Sequence, residues 1–182
     1  MQRKSFGKMP CPIARSLERV GEWWSILIIR DALHGFTRFD EFQKSLNIAP
    51  NMLTRRLSAL VDAGLFERRR YSERPPRYEY ILTQKGRDFR PVIVAMCAWG
   101  NRHFAPEGAS VLLVDKKTQR TANPVLVDRR SGRALNERDF VFAAGPAASE
   151  RTHRRYAMIN QKKTLDARKS SKTAGARKRR AP

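Results

Sequence analysis

Cysteine, histidine and acidic residues are all scarce in this chain of 182 residues. Two cysteines, Cys11 and Cys97, cannot build a disulfide framework or a four-ligand zinc site. With only three histidines besides, neither a protein-only metal site nor a bound cofactor is expected. No nucleophile, histidine and carboxylate fall at a catalytic spacing, and no glycine-rich phosphate loop is present, so an enzyme is not expected. The longest apolar run, Val92–Trp99, falls well short of the roughly 18 residues that crossing a bilayer takes. Arg3, Lys4 and Lys8 have no apolar stretch behind them, so no secretory signal is visible. These absences lead to an expected cytoplasmic protein with no membrane partner.

What the chain has in excess is positive charge. Lys and Arg number 38 against 17 Asp and Glu, a formal net charge of +21. Charge on that scale favours a polyanion as partner. It is unevenly spread: residues 151–182 hold twelve basic residues against the single Asp166. Such a stretch cannot bury enough apolar surface to offset its ordering entropy, so a disordered Lys/Arg-rich tail is expected over 151–182. The expected organisation is a folded domain over 1–104, a small appendix over 105–150, and that tail.

Within 1–104 the spacing of apolar residues predicts helices. Pro12 suits a first helical turn, Ile13, Leu17 and Val20 follow at helical spacing, and Gly21 stops the helix. Trp23–Leu33 is apolar nearly all round and should lie at the centre of the core. A third helix, Asp40–Leu46, places Phe39, Phe42 and Leu46 on one face. After a turn at Asn47–Pro50, a fourth runs from about Asn51 to Ala63. The period then changes. Leu65–Tyr71 and Arg77–Thr83 read as strands around a polar loop, a β-hairpin. A last long helix is expected over Arg87–Phe104. The fold class is therefore mainly α with a small β-hairpin, in the order of a winged helix-turn-helix.

That order makes the fourth helix a candidate reader of double-stranded DNA. At 100° per residue Leu53, Leu57, Leu60 and Val61 face the core. Asn51, Arg55, Ser58 and Asp62 lie opposite, flanked by Thr54. In the major groove an amide pairs with adenine and a guanidinium with guanine. Arg56 points to the side, where a phosphate contact is expected. Arg68, Arg69, Arg70, Arg74 and Arg77 crowd the hairpin, and like charges this dense repel unless a polyanion meets them.

The run Cys11–Gly100 resembles the HxlR-type family of bacterial winged-helix transcriptional regulators. The resemblance rests on CPI at 11–13, Trp23 and Trp24, RFDEF at 38–42, PNMLTRRLSALVDAGL at 50–65, RPPRYEY at 74–80, LTQKG at 82–86 and WG at 99–100. It implies a homodimer, built through the first and last helices, that regulates transcription from a palindromic operator without catalysis; the regulator expected is a repressor. It implies major-groove contact by Asn51, Thr54 and Arg55, and wing contact by Arg74 and Arg77. With Arg56, Ser58 and Arg69 these make the expected DNA-binding set. The expected dimerisation set is Ile13, Leu17, Val92, Ile93, Met96 and Trp99. Apolar residues ring the last helix from Val92 to Trp99, more than one core face can cover, which points independently to a second protein surface. Cys11 looks like the N-terminal cysteine with which some members sense oxidants or electrophiles, so a redox or small-molecule effector enters as a further expected partner. A helix N-terminus, with Arg15 one turn on, would favour its thiolate. Cys97, in an apolar helix, reads as inert.

Outside the resemblance, VLLVDKKTQRTAN at 111–123 repeats without gaps as PVLVDRRSGRALN at 124–136. Each copy reads as a strand, a polar turn opened by Asp115 or Asp128, and a return. A metal-free, ribbon-like pair of knuckles is expected, held by apolar pairs and by Asp-to-backbone turn bonds. A different reading of the whole chain stays open on sequence: a nucleoid-type architectural protein that binds DNA mainly through its basic tail.

Overall fold

The structure is a computed structural model that describes Ser5, Met9 and residues 11–162. Its centre is the helix whose sequence has no polar face, α2 (Trp23–Leu33). Around it pack α1 (Pro12–Val20), α3 (Phe39–Leu46) and α4 (Pro50–Asp62). Ile28, Ile29, Phe42, Leu53, Leu57 and Leu60 are fully buried and form the core with Phe66. Asp31 is buried in α2 and is held there by polar partners. Its carboxylate accepts from Arg30 Nε at 2.8 Å and from Ser45 Oγ at 2.7 Å, which ties α2 to α3.

The entry to α3 is fixed by its own sequence. Glu41 reaches back, and its carboxylate accepts the backbone N–H groups of Arg38 and Thr37, each at 2.8 Å. Those bonds, Arg38's first, hold its carboxyl below the ordinary value. Asn47 then takes the left-handed conformation (φ 47°, ψ 42°), which a short polar side chain tolerates, and turns the chain into α4. Pro50 occupies the first turn of α4, where its missing N–H is no loss.

Beyond Gly64, β1 (Phe66–Glu73) and β2 (Pro76–Leu82) pair antiparallel. Phe66 faces Leu82 and Arg69 faces Glu79, with a bulge between Arg70 and Ser72. Residues 37 and 38 lie against β2: Tyr80 N donates to Thr37 O at 2.7 Å, and Arg38 bridges Glu79. The chain is thus a winged helix-turn-helix, mainly helical with one two-stranded hairpin.

The long helix expected over Arg87–Phe104 is present but begins later, at Arg90, because a separate short helix precedes it. A short α5 (Gln84–Arg87) is capped by Thr83, whose Oγ1 accepts from Gly86 N at 3.2 Å. Pro91 then starts α6 (Arg90–His103) in the position a proline favours. Gly86 sits so tightly that a Cβ there would stand 2.3 Å from Leu65 O and 2.7 Å from Leu82 Cδ2.

The chain divides into two compact units, Met1–Ala134 and Leu135–Pro182. Both knuckle turns lie in the first unit. Val114 bridges Thr121 and Val127 bridges Ala134, equivalent places in the repeat. Asp115 N donates to Arg120 O at 2.9 Å, and Asp128 N to Arg133 O at 2.8 Å. Gln119 and Gly132, again equivalent, both take positive φ, 56° and 67°. The expected Asp turn bonds are present: Asp115 accepts from Lys117 N, Thr118 N and Thr118 Oγ1, and Asp128 from Ser131 N and Oγ. These bonds lower both carboxyl pKa values, with the backbone N–H of Thr118 first for Asp115 and the hydroxyl of Ser131 first for Asp128. The expected apolar pairing is not seen: Val114, Leu126 and Val127 are exposed, so local bonds and not a core hold the knuckles.

In the second unit, the tail expected to lack structure from residue 151 begins as a helix over 150–162, with Thr152, Tyr156 and Ile159 half-buried on one face. Ser149 caps it, its Oγ accepting from Thr152 N at 3.3 Å. The spacing of those three residues carried this signal, and the high charge masked it. The rest of the expected tail, 163–182, lies outside the described residues.

Candidate nucleic-acid interface

The periodicity of α4 sorts its side chains as expected. Leu53, Leu57 and Leu60 point into the core, and Asn51, Thr54, Arg55 and Ser58 are all exposed opposite them. Two of these are partly engaged. Asn51 Oδ1 accepts from Met52 N at 2.7 Å, which leaves its amide N–H groups to donate. Thr54 Oγ1 donates to Pro50 O at 2.9 Å, which leaves its oxygen lone pairs to accept. Arg55 makes no ion pair with a described residue, so its guanidinium fork is available to a base edge.

Arg56 does not join this face. It pairs with Glu22 at 3.1 Å, and its side chain is only 18% exposed. That pair anchors α4 to the start of α2. Sequence spacing could not reveal a partner so distant in the chain.

The wing is also less free than its composition suggests. Arg69 Nε bonds Glu79 Oε1 at 2.8 Å. The Arg68 guanidinium lies 3.6 Å from the centre of the Tyr78 ring. Arg70 folds back onto the carbonyls of Ser72 and Glu73 at 3.2 and 3.1 Å. Crowding on the hairpin is therefore relieved mostly from within, by a carboxylate, a ring face and two carbonyls. Arg74 and Arg77 remain exposed at the tip and form no ion pair with a described residue. Arg38, which sequence reasoning passed over, lies 4.9 Å above the Tyr71 ring beside the wing.

The expected dimerisation residues divide as well. Val92, Met96 and Trp99 form one exposed stripe along α6, with Trp99 59% exposed. Ile13, 64% exposed, and Leu17 form another on α1. Ile93 is half-buried and lies off the stripe. Trp99 packs edge-on against Phe104, ring centres 4.8 Å apart.

Cys11 is half-buried at the N-terminus of α1. Arg15, one turn on, donates from Nε to Met9 O at 2.7 Å. Cys97 is half-buried on α6, near Asn101 Nδ2 at 3.9 Å. No helix among the described residues is long and apolar enough to cross a membrane. Nor do three or more His, Cys, Asp or Glu side chains gather there into a metal-sized group.

Comparison with known proteins agrees with this geometry. The HxlR-like helix-turn-helix family model matches residues 19–108. An uncharacterized HTH-type transcriptional regulator of Mycobacterium tuberculosis is 38% identical over 135 residues, 74% of this chain and 85% of that one. A solved structure of a candidate transcription factor from Pseudomonas aeruginosa is 59% identical and covers 80% of this chain and 99% of its own, with a TM-score of 0.60. A second solved candidate transcription factor is 38% identical over 78% of this chain and 100% of its own, with a TM-score of 0.69. The chain therefore belongs to the HxlR-like helix-turn-helix family, transcriptional regulators built on a DNA-binding helix-turn-helix.

Proposed function

We propose that the chain is a homodimeric repressor that reads a palindromic operator with α4 and clamps the flanking backbone with its wing, in the bacterial cytoplasm. One observation carries this reading: the face of α4 opposite its buried leucines offers Asn51, Thr54, Arg55 and Ser58 together, with Arg74 and Arg77 exposed at the hairpin tip. An amide, two hydroxyls and an unpaired guanidinium are the donors and acceptors that base edges in the major groove require. The exposed stripes on α1 and α6 support pairing of two copies, which would present two such helices to two half-sites. Repression needs no further partner, since a dimer seated on its operator excludes other proteins by bulk.

Arg55→Ala should weaken binding to the preferred duplex by about 1–3 kcal/mol, and binding to random duplex far less. The check is a pair of equilibrium titrations at one salt concentration. Equal losses on both duplexes would reduce Arg55 to a phosphate contact. Binding by the unaltered chain with no preference for any sequence and a steep salt dependence would favour the architectural reading, with residues 151–182 as the main contact.

A further inference from the structure

The cations on the two knuckles have no part in the reading above. Lys116, Lys117 and Arg120 stand on the first turn, and Arg129, Arg130 and Arg133 occupy the same places on the second. All six are exposed. The turns themselves are set by other groups: the carboxylates of Asp115 and Asp128, the hydroxyls of Thr118 and Ser131, and the positive φ at Gln119 and Gly132. That bonding asks for no cation at the remaining positions, because exposed turn corners accept any polar residue. Like charges gathered on a turn raise its energy unless a negative partner meets them.

Among the described residues, no carboxylate meets five of the six. The two aspartates are engaged by the N–H and O–H donors of their own turns. Lys116, Lys117, Arg120, Arg129 and Arg130 form no ion pair with a described residue. The two copies also exchange Lys for Arg at 116/129 and 117/130, which keeps charge but changes shape. Base reading depends on guanidinium geometry, whereas phosphate attraction depends on charge. The first knuckle is tied to α6 by Asn101 Nδ2, which donates to Val111 O at 2.8 Å, so the cations are carried on the unit that holds α4.

We infer that the paired knuckles are a second nucleic-acid contact, a sequence-independent clamp on the phosphate backbone of double-stranded DNA. This rests on the proposal that the chain binds DNA through α4.

The test is a set of salt titrations of the full chain and of K116S/K117S/R120S/R129S/R130S/R133S, on random duplex and on the preferred duplex. The six serines leave both aspartates and both turn hydroxyls in place. The slope of log affinity against log salt should fall by about three to five on both duplexes, at roughly 0.9 for each phosphate that is no longer neutralised. The ratio of preferred to random affinity should not change. Each three-residue half of the variant should lower the slope by about half as much, and K116R/K117R/R129K/R130K should keep the original slope. An unchanged slope in a six-fold variant that still prefers its operator would overturn the clamp and leave the α4 reading standing. Failure of the unaltered chain to prefer any duplex, with the slope still falling in the variant, would overturn the α4 reading alone. Loss of binding to phosphatidylglycerol vesicles with no change in DNA slope would assign the knuckles to a lipid surface and overturn the clamp.

Discussion

If α6 joins two copies as proposed, the double variant V92D/W99E is expected to behave as a monomer at concentrations where the unaltered chain pairs. Both side chains are exposed in the single protomer, so little of its own packing is disturbed beyond the contacts of Trp99 with His103 and Phe104. Two carboxylates would instead be buried without partners at the centre of a shared surface, which costs several kcal/mol. The thermal midpoint of the protomer should hardly move, whereas operator affinity should fall about a hundredfold or more, because the two copies of α4 are no longer tethered to each other. Sedimentation and light scattering read the first outcome and a binding titration the second. A well-behaved dimer with both substitutions in place would remove α6 from the interface.

A second large effect is expected inside the protomer. Phe42 is fully buried on α3 and meets Phe66 edge-to-face, ring centres 6.5 Å apart at 87°. It joins the helix-turn-helix to the base of the wing. Phe42→Ala should cost about 3–5 kcal/mol, from forfeited transfer energy and the cavity left behind. Phe42→Leu should cost less than half of that. The measurement is the urea midpoint of unfolding at constant m. A loss below about 1 kcal/mol for the alanine variant would mean that α3 is not packed as described.

How much of this was legible in the sequence depended on the range of the interaction. The interior of α2 and the two faces of α4 follow from the helical period alone, because burial along one helix is a local pattern. The hairpin followed from the change of period and the prolines between its strands, with its bounds off by one or two residues. The break between α5 and α6 was missed, although Thr83 and Pro91 carried its signal. The knuckles repeat in conformation because they repeat in the residues that set a turn, Asp and hydroxyl. What stayed hidden was the fate of the arginines. Arg56 finds Glu22, and Arg68 and Arg70 are taken up within the hairpin, through contacts that require the fold to exist first. The Arg69–Glu79 pair is intermediate, because it follows once the strand register is known. A count of basic residues thus overstated the charge the wing offers and passed over the Lys and Arg of the knuckles.

Selection of bound duplexes from a random pool, with the full chain, tests the central claim most directly. Reading by two copies of α4 predicts enrichment of an inverted repeat, its half-sites centred about one helical turn apart, roughly 10 base pairs. The same selection with Arg55→Ala should relax one position in each half-site. A pool that stays random while the chain still binds, or an enriched site without symmetry bound by a single copy, would contradict the account.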